Sequence, residues 1–331
     1  MRIRKLAIFR GLYLGDLVAA TGALRALRRG YPEAEITLVS LPWASALTPH
    51  LPHVDRLLPY PGVPGLDGGG GEEDREKFLA RARAERFDLA VNMHGRGPVS
   101  TRLVLRFGAR RAAGFAGEAG DDALDVKVPW DTEAHESRKL LLLAEKVGGV
   151  PMDSSDAGPE LRVRVEDDRR AQALLPSGPR KPLALVHPGA SVPEKRWPGE
   201  AFGRVARGLL WHGYAVAVTG SSGEKELARR VTGFAPGALN LGGRTDLSTL
   251  VALVARADAL VTNDTGPAHL AYALKTPSVT IFGPSTDMER WGPLNRKRHA
   301  VLFGDPISEV SAGSVVKRVE GLVPEGERLG A

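Results

Sequence analysis

The residues best able to do chemistry in this chain stand directly after short apolar runs. In the second half, the run LALVH leads into HPGASVPEKRWP, residues 187–198. Ser191 offers a hydroxyl there and Lys195 a compact positive charge, a pair suited to a diphosphate. An ordinary strand-to-helix loop with a surface lysine would carry the same residues. Further on, VTNDTGPAHLAYAL occupies residues 261–274. The strand is expected to end at Asn263-Asp264, with Thr265 and Gly266 at the helix cap. Pro267 then falls in the first helical turn, where its missing N–H is no loss. Free N–H groups and the positive end of the helix dipole make such a terminus an anion site. Gly266 lets a ligand approach the backbone closely, and His269 lies about one turn in. A simple cap at Asp264 and a satisfied helix histidine at His269 are the plainer readings.

The first half holds a similar junction: an apolar run, then RGLYLGD, then a helix. Asp16 is expected at or just before that helix N-terminus. An N-cap is a common role for Asp; as a general base it would take the proton of an acceptor hydroxyl. In SSGEKE, residues 221–226, Ser222 and Glu224 could reach a sugar hydroxyl or a ribose. Capping of the following helix by Ser222 and Glu226 would explain the segment without a ligand. No G-x-G-x-x-G follows a strand and no G-x-x-x-x-G-K-[ST] occurs, so dinucleotide-dehydrogenase and P-loop readings lose their main support. H-E-x-x-H is absent, and the eight histidines are scattered, so no metal site is expected and no cofactor is implied.

These loops need strands and helices to hold them. In the first half the spacing predicts strands at 3–9, 36–39, 54–58 and 88–92. It predicts helices from about 17 to 30, around 43–47, and over 72–86 and 98–107, with a less regular stretch at 112–134. HESRKLLLLAEKVGG reads as a strong helix with Gly148 beyond its end. Residues 149–182 are rich in proline and charge, and the domain linker is expected near 155–180. The second half alternates strand and helix from Leu183 to Phe282, and a helix is expected over 308–323. That rhythm implies an α/β protein whose doubly wound parallel sheets carry their ligands at the strand C-terminal ends. The expected division is one domain over 1–160, a second over 161–310, and a C-terminal helix and tail over 311–331 that could pack back on the first domain.

Composition narrows the class of protein. The 331 residues suit two domains, and 43% hydrophobic residues allow each a core. Without cysteine there are no disulfides, thiolate metal sites or cysteine nucleophiles, which fits a reducing compartment. The basic opening MRIRKLAIFRG is too short and too interrupted for a signal peptide, and no run reaches membrane-helix length. A cytoplasmic protein is expected. The net charge of +6 suits either plain solubility or an anionic partner, and its sign does not choose between them. With aromatics at 6%, base-stacking platforms and hence nucleic acid are not expected.

Three segments together resemble glycosyltransferase family 9, the ADP-heptose–lipopolysaccharide heptosyltransferases. They are LGDLVAATGALRALRRGYPEAEITLV, HPGASVPEKRWPGEAFGRVARGL and GRTDLSTLVALVARADALVTNDTGPAHLAYALKTPSVTIFGPS. The H-E-S-R at 135–138 also falls where the family opens a helix. The resemblance implies the GT-B fold, two Rossmann-like domains facing across a cleft, the acceptor-binding one over 1–160 and the nucleotide-sugar-binding one over 161–310, and inversion at the anomeric carbon without a bound metal. It implies Asp16 as the base and Ser191 and Lys195 as diphosphate ligands. Asp264, Thr265, Gly266 and His269 would line the nucleotide and donor-sugar side. The donor would be a nucleotide-diphosphate sugar such as ADP-heptose, and the acceptor an anionic glycolipid at the inner membrane surface, where a cytoplasmic enzyme could attach peripherally. Arg10, Arg96, Arg102 and Arg106 could meet that acceptor, although a solvated arginine-rich surface explains them equally. Where family members carry a sugar-contacting Glu, this chain has Ser222, with Glu224 two residues on; Ala190 replaces a hydroxyl residue of some members. The competing readings are a GT-B transferase or epimerase using a UDP- or GDP-sugar, and a non-catalytic nucleotide-sugar-binding protein.

Overall fold

A computed structural model describes residues 2–67, 69–117, 123–152, 158–177 and 181–323. The chain divides into two compact units, Met1–Glu160 and Leu161–Ala331.

In unit 1 the strands are β1 (Lys5–Phe9), β2 (Glu35–Ser40), β3 (Arg56–Pro59), β4 (Leu89–Asn92), β5 (Arg111–Phe115) and β6 (Val126–Val128). The helices are α1 (Leu14–Ala19), α2 (Thr21–Gly30), α3 (Glu72–Ala84), α4 (Pro98–Leu105) and α5 (Glu136–Lys146). The strands form one sheet in the order β3-β2-β1-β4-β5-β6, and every pairing is parallel. Leu6, Ala7, Ile8 and Phe9 are fully buried, as expected for a strand covered on both faces. Below the sheet, Phe9, Tyr60, Phe78 and Phe107 meet edge to face, which fixes the end of β1 from which the RGLYLGD loop departs.

Unit 2 repeats the plan. Its strands are β7 (Leu183–His187), β8 (Ala215–Val218), β9 (Leu239–Asn240), β10 (Ala259–Asn263), β11 (Ser278–Phe282) and β12 (His299–Phe303). Its helices are α6 (Val165–Leu174), α7 (Gly199–Trp211), α8 (Lys225–Gly233), α9 (Leu247–Arg256), α10 (Gly266–Leu274), α11 (Met288–Trp291) and α12 (Ala312–Leu322). The sheet order is β12-β11-β10-β7-β8-β9, again all parallel. Read from the first strand of each unit, both sheets have the 3-2-1-4-5-6 order of the doubly wound Rossmann fold. In each, the chain reverses its direction of winding between the first and fourth strands: β1 and β4 in unit 1, β7 and β10 in unit 2. A crevice opens at that point beyond the strand ends, because the two flanking loops leave toward opposite faces of the sheet. Val315, Val316 and Val319 of α12 belong to the unit 2 core together with Phe202, Leu209 and Trp197.

Several elements differ from the sequence reading, among them α11 and the edge strand β12, which it did not expect. The stretch over 112–134, expected to be irregular, contains β5 and β6. Its RAAGF has little intrinsic strand preference, and Ala112, Ala113 and Phe115 become strand through burial at 6%, 0% and 1% exposure. The helix after RGLYLGD is split at Ala20, which ends α1 and caps α2. Within the expected linker, α6 is a helix of unit 2, whereas residues 153–157 and 178–180 lie outside the described residues, as does the expected tail over 324–331. Among the described residues no helix is long and apolar enough to cross a membrane.

Candidate active site

In unit 2 the switch point lies between His187, which ends β7, and Asn263, which ends β10. The pairing Thr262 to His187 sets the two strand ends side by side. Asn263 is fully buried and works on the neighbouring loop rather than its own. Its amide nitrogen donates to the carbonyls of Pro188 (2.9 Å) and Gly189 (3.2 Å), and its oxygen accepts from the Trp197 N–H (3.0 Å). Arg196 clamps the same loop by donating twice, at 3.0 and 2.9 Å, to the Ala190 carbonyl. Trp197, 1% exposed, anchors the far end by donating to the Val310 carbonyl at 3.2 Å. A loop of this composition would wander in isolation; here both ends are tied down. Ser191 is left exposed at its bend.

Lys195 reaches across to β10. Its Nζ lies 2.8 Å from Asp264 Oδ2. Asp264 is 5% exposed and immediately precedes Thr265, the N-cap of α10. The lysine cation therefore sits beside the first turn of that helix. Thr265 caps it with extended backbone but no side-chain hydrogen bond, and Pro267 lies in the first turn. The predicted cluster of Lys195, Asp264, Thr265 and Gly266 is thus brought together, with the partial positive charge of the helix end uncapped by any side chain. His269 is 8% exposed and packs edge to face on Tyr272 and Trp291, with centroids 5.4 and 6.1 Å apart; it stiffens the helix start.

Glu224 is close by, in a role the sequence reading gave to others. Its Oε2 accepts from the N–H and hydroxyl of Ser221, both at 2.8 Å, so Ser221 and Glu224, rather than Ser222 and Glu226, close the turn before α8. Its carboxylate also lies over Gly189, where an added Cβ would come within 2.0 Å of Oε1. A side chain at 189 would displace the Glu224 carboxylate. His187 sits beneath. Burial pushes its pKa down, opposed by the Glu224 charge, and its Nδ1 pairs with the Thr219 hydroxyl at 3.0 Å. Ser222 is exposed.

In unit 1 the corresponding point lies between the ends of β1 and β4. Asp16 is the third residue of α1 rather than its N-cap, which is Tyr13. Asp16 Oδ2 accepts from the Tyr13 N–H at 3.3 Å, so the carboxylate answers the helix's free donors from within the first turn. Its side chain keeps 17% exposure. Arg10 corrects the sequence reading: at 1% exposure it cannot meet an acceptor at the surface. Its guanidinium donates to the carbonyls of Asp16 (2.6 Å) and Met93, and to Glu136 Oε1 (3.2 Å). Arg96 and Arg102 are exposed, and Arg106 pairs with Glu76 at 2.6 Å. His94, beyond β4, stacks on Phe9 with centroids 5.0 Å apart, and its Nδ1 accepts from the Gly11 N–H at 3.3 Å. Burial first, and the Arg10 cation second, push its pKa down to about 4. It is neutral near pH 7, with its proton on Nε2.

The sequence reading missed His94, Asn263, His187 and Glu136 as parts of these sites. Each stands at the end of a strand or the start of a helix beside a switch point, a signal that needs the strand order to be seen. Among the described residues no group of three or more His, Asp or Glu side chains is placed to hold a metal ion.

The comparisons agree with this architecture. The model of the family "Glycosyltransferase family 9 (heptosyltransferase)" matches residues 75–316. Lipopolysaccharide heptosyltransferase 2 of Escherichia coli K12 is 29% identical over 330 aligned residues, spanning 95% of this chain and 92% of that one. The solved structure of E. coli ADP-heptose lipopolysaccharide heptosyltransferase II superposes with a TM-score of 0.80 at 25% identity, covering 98% of this chain and 99% of that one. A family 9 glycosyltransferase from Veillonella parvula reaches a TM-score of 0.84 at 22% identity, with 98% of each chain covered, which bears on the fold. A family model that spans well over half the chain, joined to the two Rossmann-type sheets, places this GT-B enzyme in glycosyltransferase family 9.

Proposed function

We propose that the enzyme transfers a heptose from ADP-heptose to a lipopolysaccharide-core acceptor, inverting the anomeric centre. The observation that carries this reading is the Lys195–Asp264 pair beside the uncapped start of α10, in a chain whose relatives are heptosyltransferases. A diphosphate leaving group needs positive charge where its negative charge develops. Lys195, Ser191 and the N–H groups at Gly266 would supply it, more strongly in the transition state than in the ground state. Asp264 holds Lys195 in place before the donor arrives. Thr265 and His269 border the donor, and Glu224, over Gly189, is the carboxylate offered to its sugar hydroxyls, with Ser222 further out.

The chemistry is one displacement. The acceptor hydroxyl oxygen attacks the anomeric carbon from the face opposite the diphosphate. The bond from that carbon to the phosphate oxygen breaks, and its electron pair leaves on ADP. Asp16 takes the hydroxyl proton. The charge on the diphosphate is met by Lys195 and backbone dipoles, so the step calls on no bound metal. Arg96 and Arg102 are the exposed cations offered to an anionic acceptor, and transfer would take place at the cytoplasmic face of the inner membrane.

The test is transfer itself. The enzyme is incubated with ADP-heptose and a heptose-deficient lipopolysaccharide core, and the product is resolved by mass spectrometry. The expected result is a single added heptose with inverted anomeric configuration. Turnover of UDP- or GDP-sugars in preference, or ADP release without product, would contradict it.

A further inference from the structure

Beneath Asp16 lies a buried row of charges that neither donor binding nor proton transfer uses directly. Arg10 leaves the end of β1 and is 1% exposed. Its Nε donates to the Asp16 carbonyl at 2.6 Å, and its Nη2 lies 3.5 Å from Asp16 Oδ1. The same Nη2 donates to Glu136 Oε1 at 3.2 Å, while Nη1 donates to the Met93 carbonyl. Glu136, 3% exposed, opens α5. Its second oxygen is 3.2 Å from Lys139 Nζ, itself 3% exposed, and that ammonium lies 4.4 Å from the centroid of the Trp130 ring. The row runs Asp16, Arg10, Glu136, Lys139, alternating in sign.

The alternation has a consequence. A buried arginine demands an anion, since burying an unpaired charge costs several kcal/mol. Were Asp16 its sole anionic partner, the guanidinium would close on the Asp16 carboxylate in a tight bidentate pair, and a carboxylate so held is a poor proton acceptor. Glu136 provides the buried counter-charge instead. Arg10 can then grip α1 through the Asp16 main chain and touch its carboxylate only loosely. Lys139 and the Trp130 face balance Glu136 in turn.

We propose that Glu136, acting through Arg10, is a positioning residue for Asp16: it fixes the first turn of α1 while leaving the carboxylate free to accept a proton. This rests on the reading of Asp16 as the base.

The experiment is a double-mutant cycle on the full chain with Glu136→Gln and Asp16→Asn. Glu136→Gln keeps size and one acceptor oxygen but loses the charge. Expected is a fall in kcat of about tenfold or more, with KM for the donor and calorimetric ADP affinity unchanged. In the Asp16→Asn background the same substitution should cost nothing further, because residues acting as a unit are non-additive. Equal losses in both backgrounds, or a loss confined to KM, would overturn the proposal. Asp16→Asn with wild-type turnover would instead overturn the base reading. Asp16→Asn inactive beside fully active Glu136→Gln would sink the positioning role alone. If Glu136→Gln does not yield folded protein, Arg10→Lys carries the same test. A lysine cannot span the Asp16 carbonyl, Met93 and Glu136 together, so the same kcat-only loss is expected, and wild-type kcat would count against the proposal.

Discussion

The two units share one strand order and use its switch point in opposite ways. In unit 1 the first helix after β1 meets an anion of the chain's own: Asp16, in the first turn of α1, accepts from the Tyr13 N–H. In unit 2 the helix after β10 begins at Thr265 with no side-chain cap, beside the Lys195 cation. One helix end is occupied by the chain's own carboxylate; the other begins without a side-chain cap. The buried asparagines that end the fourth strand of each sheet differ in the same sense. Asn92 ties down its own loop through Gly95, Ser100, Thr101 and the His94 N–H. Asn263 holds the loop of the neighbouring strand, the one that would cradle the diphosphate. An identical topology thus yields two differently furnished strand ends, which under the proposed function would handle a proton in unit 1 and an anion in unit 2.

That contrast can be broken in several ways. The largest effect is expected from Asp16→Asn. Loss of a general base lowers kcat by about 10²–10⁴-fold, while ADP affinity by calorimetry should stay at the wild-type value. Lys195→Ala should weaken ADP binding as well as lower kcat. A hydrogen bond to a charged group contributes about 1.5–3 kcal/mol, so ADP should bind roughly 10- to 150-fold more weakly. Asn263→Ala leaves the Pro188 and Gly189 carbonyls and the Trp197 N–H without their partner. It should cost about 1–3 kcal/mol of stability, seen as a lower Tm, together with weaker ADP binding. Asn92→Ala should lower Tm similarly and leave ADP binding alone, which sharpens the comparison.

The smallest effect concerns pH. His94 has a folded-state pKa of about 4 against about 6.5 unfolded. Below about 6.5 the unfolded chain takes up a proton that the folded one refuses, so stability is present above that pH and is lost as pH falls toward 4. His299 in unit 2 behaves alike, pushed to about 4 chiefly by burial. His94→Gln should flatten the denaturant-measured loss of stability between pH 6.5 and 4 without abolishing it; an unchanged slope would remove His94 from the balance.

Much of this arrangement was legible before the coordinates. β10 ends at Asn263 and α10 starts after a Thr265 cap, as the sequence predicts, because an apolar β-run ending in Asn-Asp-Thr-Gly-Pro leaves the backbone few alternatives. The clustering of Lys195 with Asp264 followed from both loops leaving adjacent strands of one sheet. The strand RAAGF and the burial of Arg10 were not legible, for a common reason. Alanine and glycine carry no β signal, and an arginine after a strand looks solvated until an acid 126 positions away, Glu136, is folded against it. Likewise the sequence offers Glu224 to a sugar hydroxyl or ribose and leaves capping to Ser222 and Glu226; the fold makes Glu224 the cap and sets its carboxylate over Gly189.

The division of labour between the two switch points is tested most directly by hydrogen exchange of the full chain with and without saturating ADP. Slower exchange is predicted at the backbone amides of residues 188–197 and at Thr265 and Gly266, with the amides of residues 10–16 and 93–96 unchanged. Protection confined to 10–16 and 93–96, with none at 188–197 or 265–266, would contradict it.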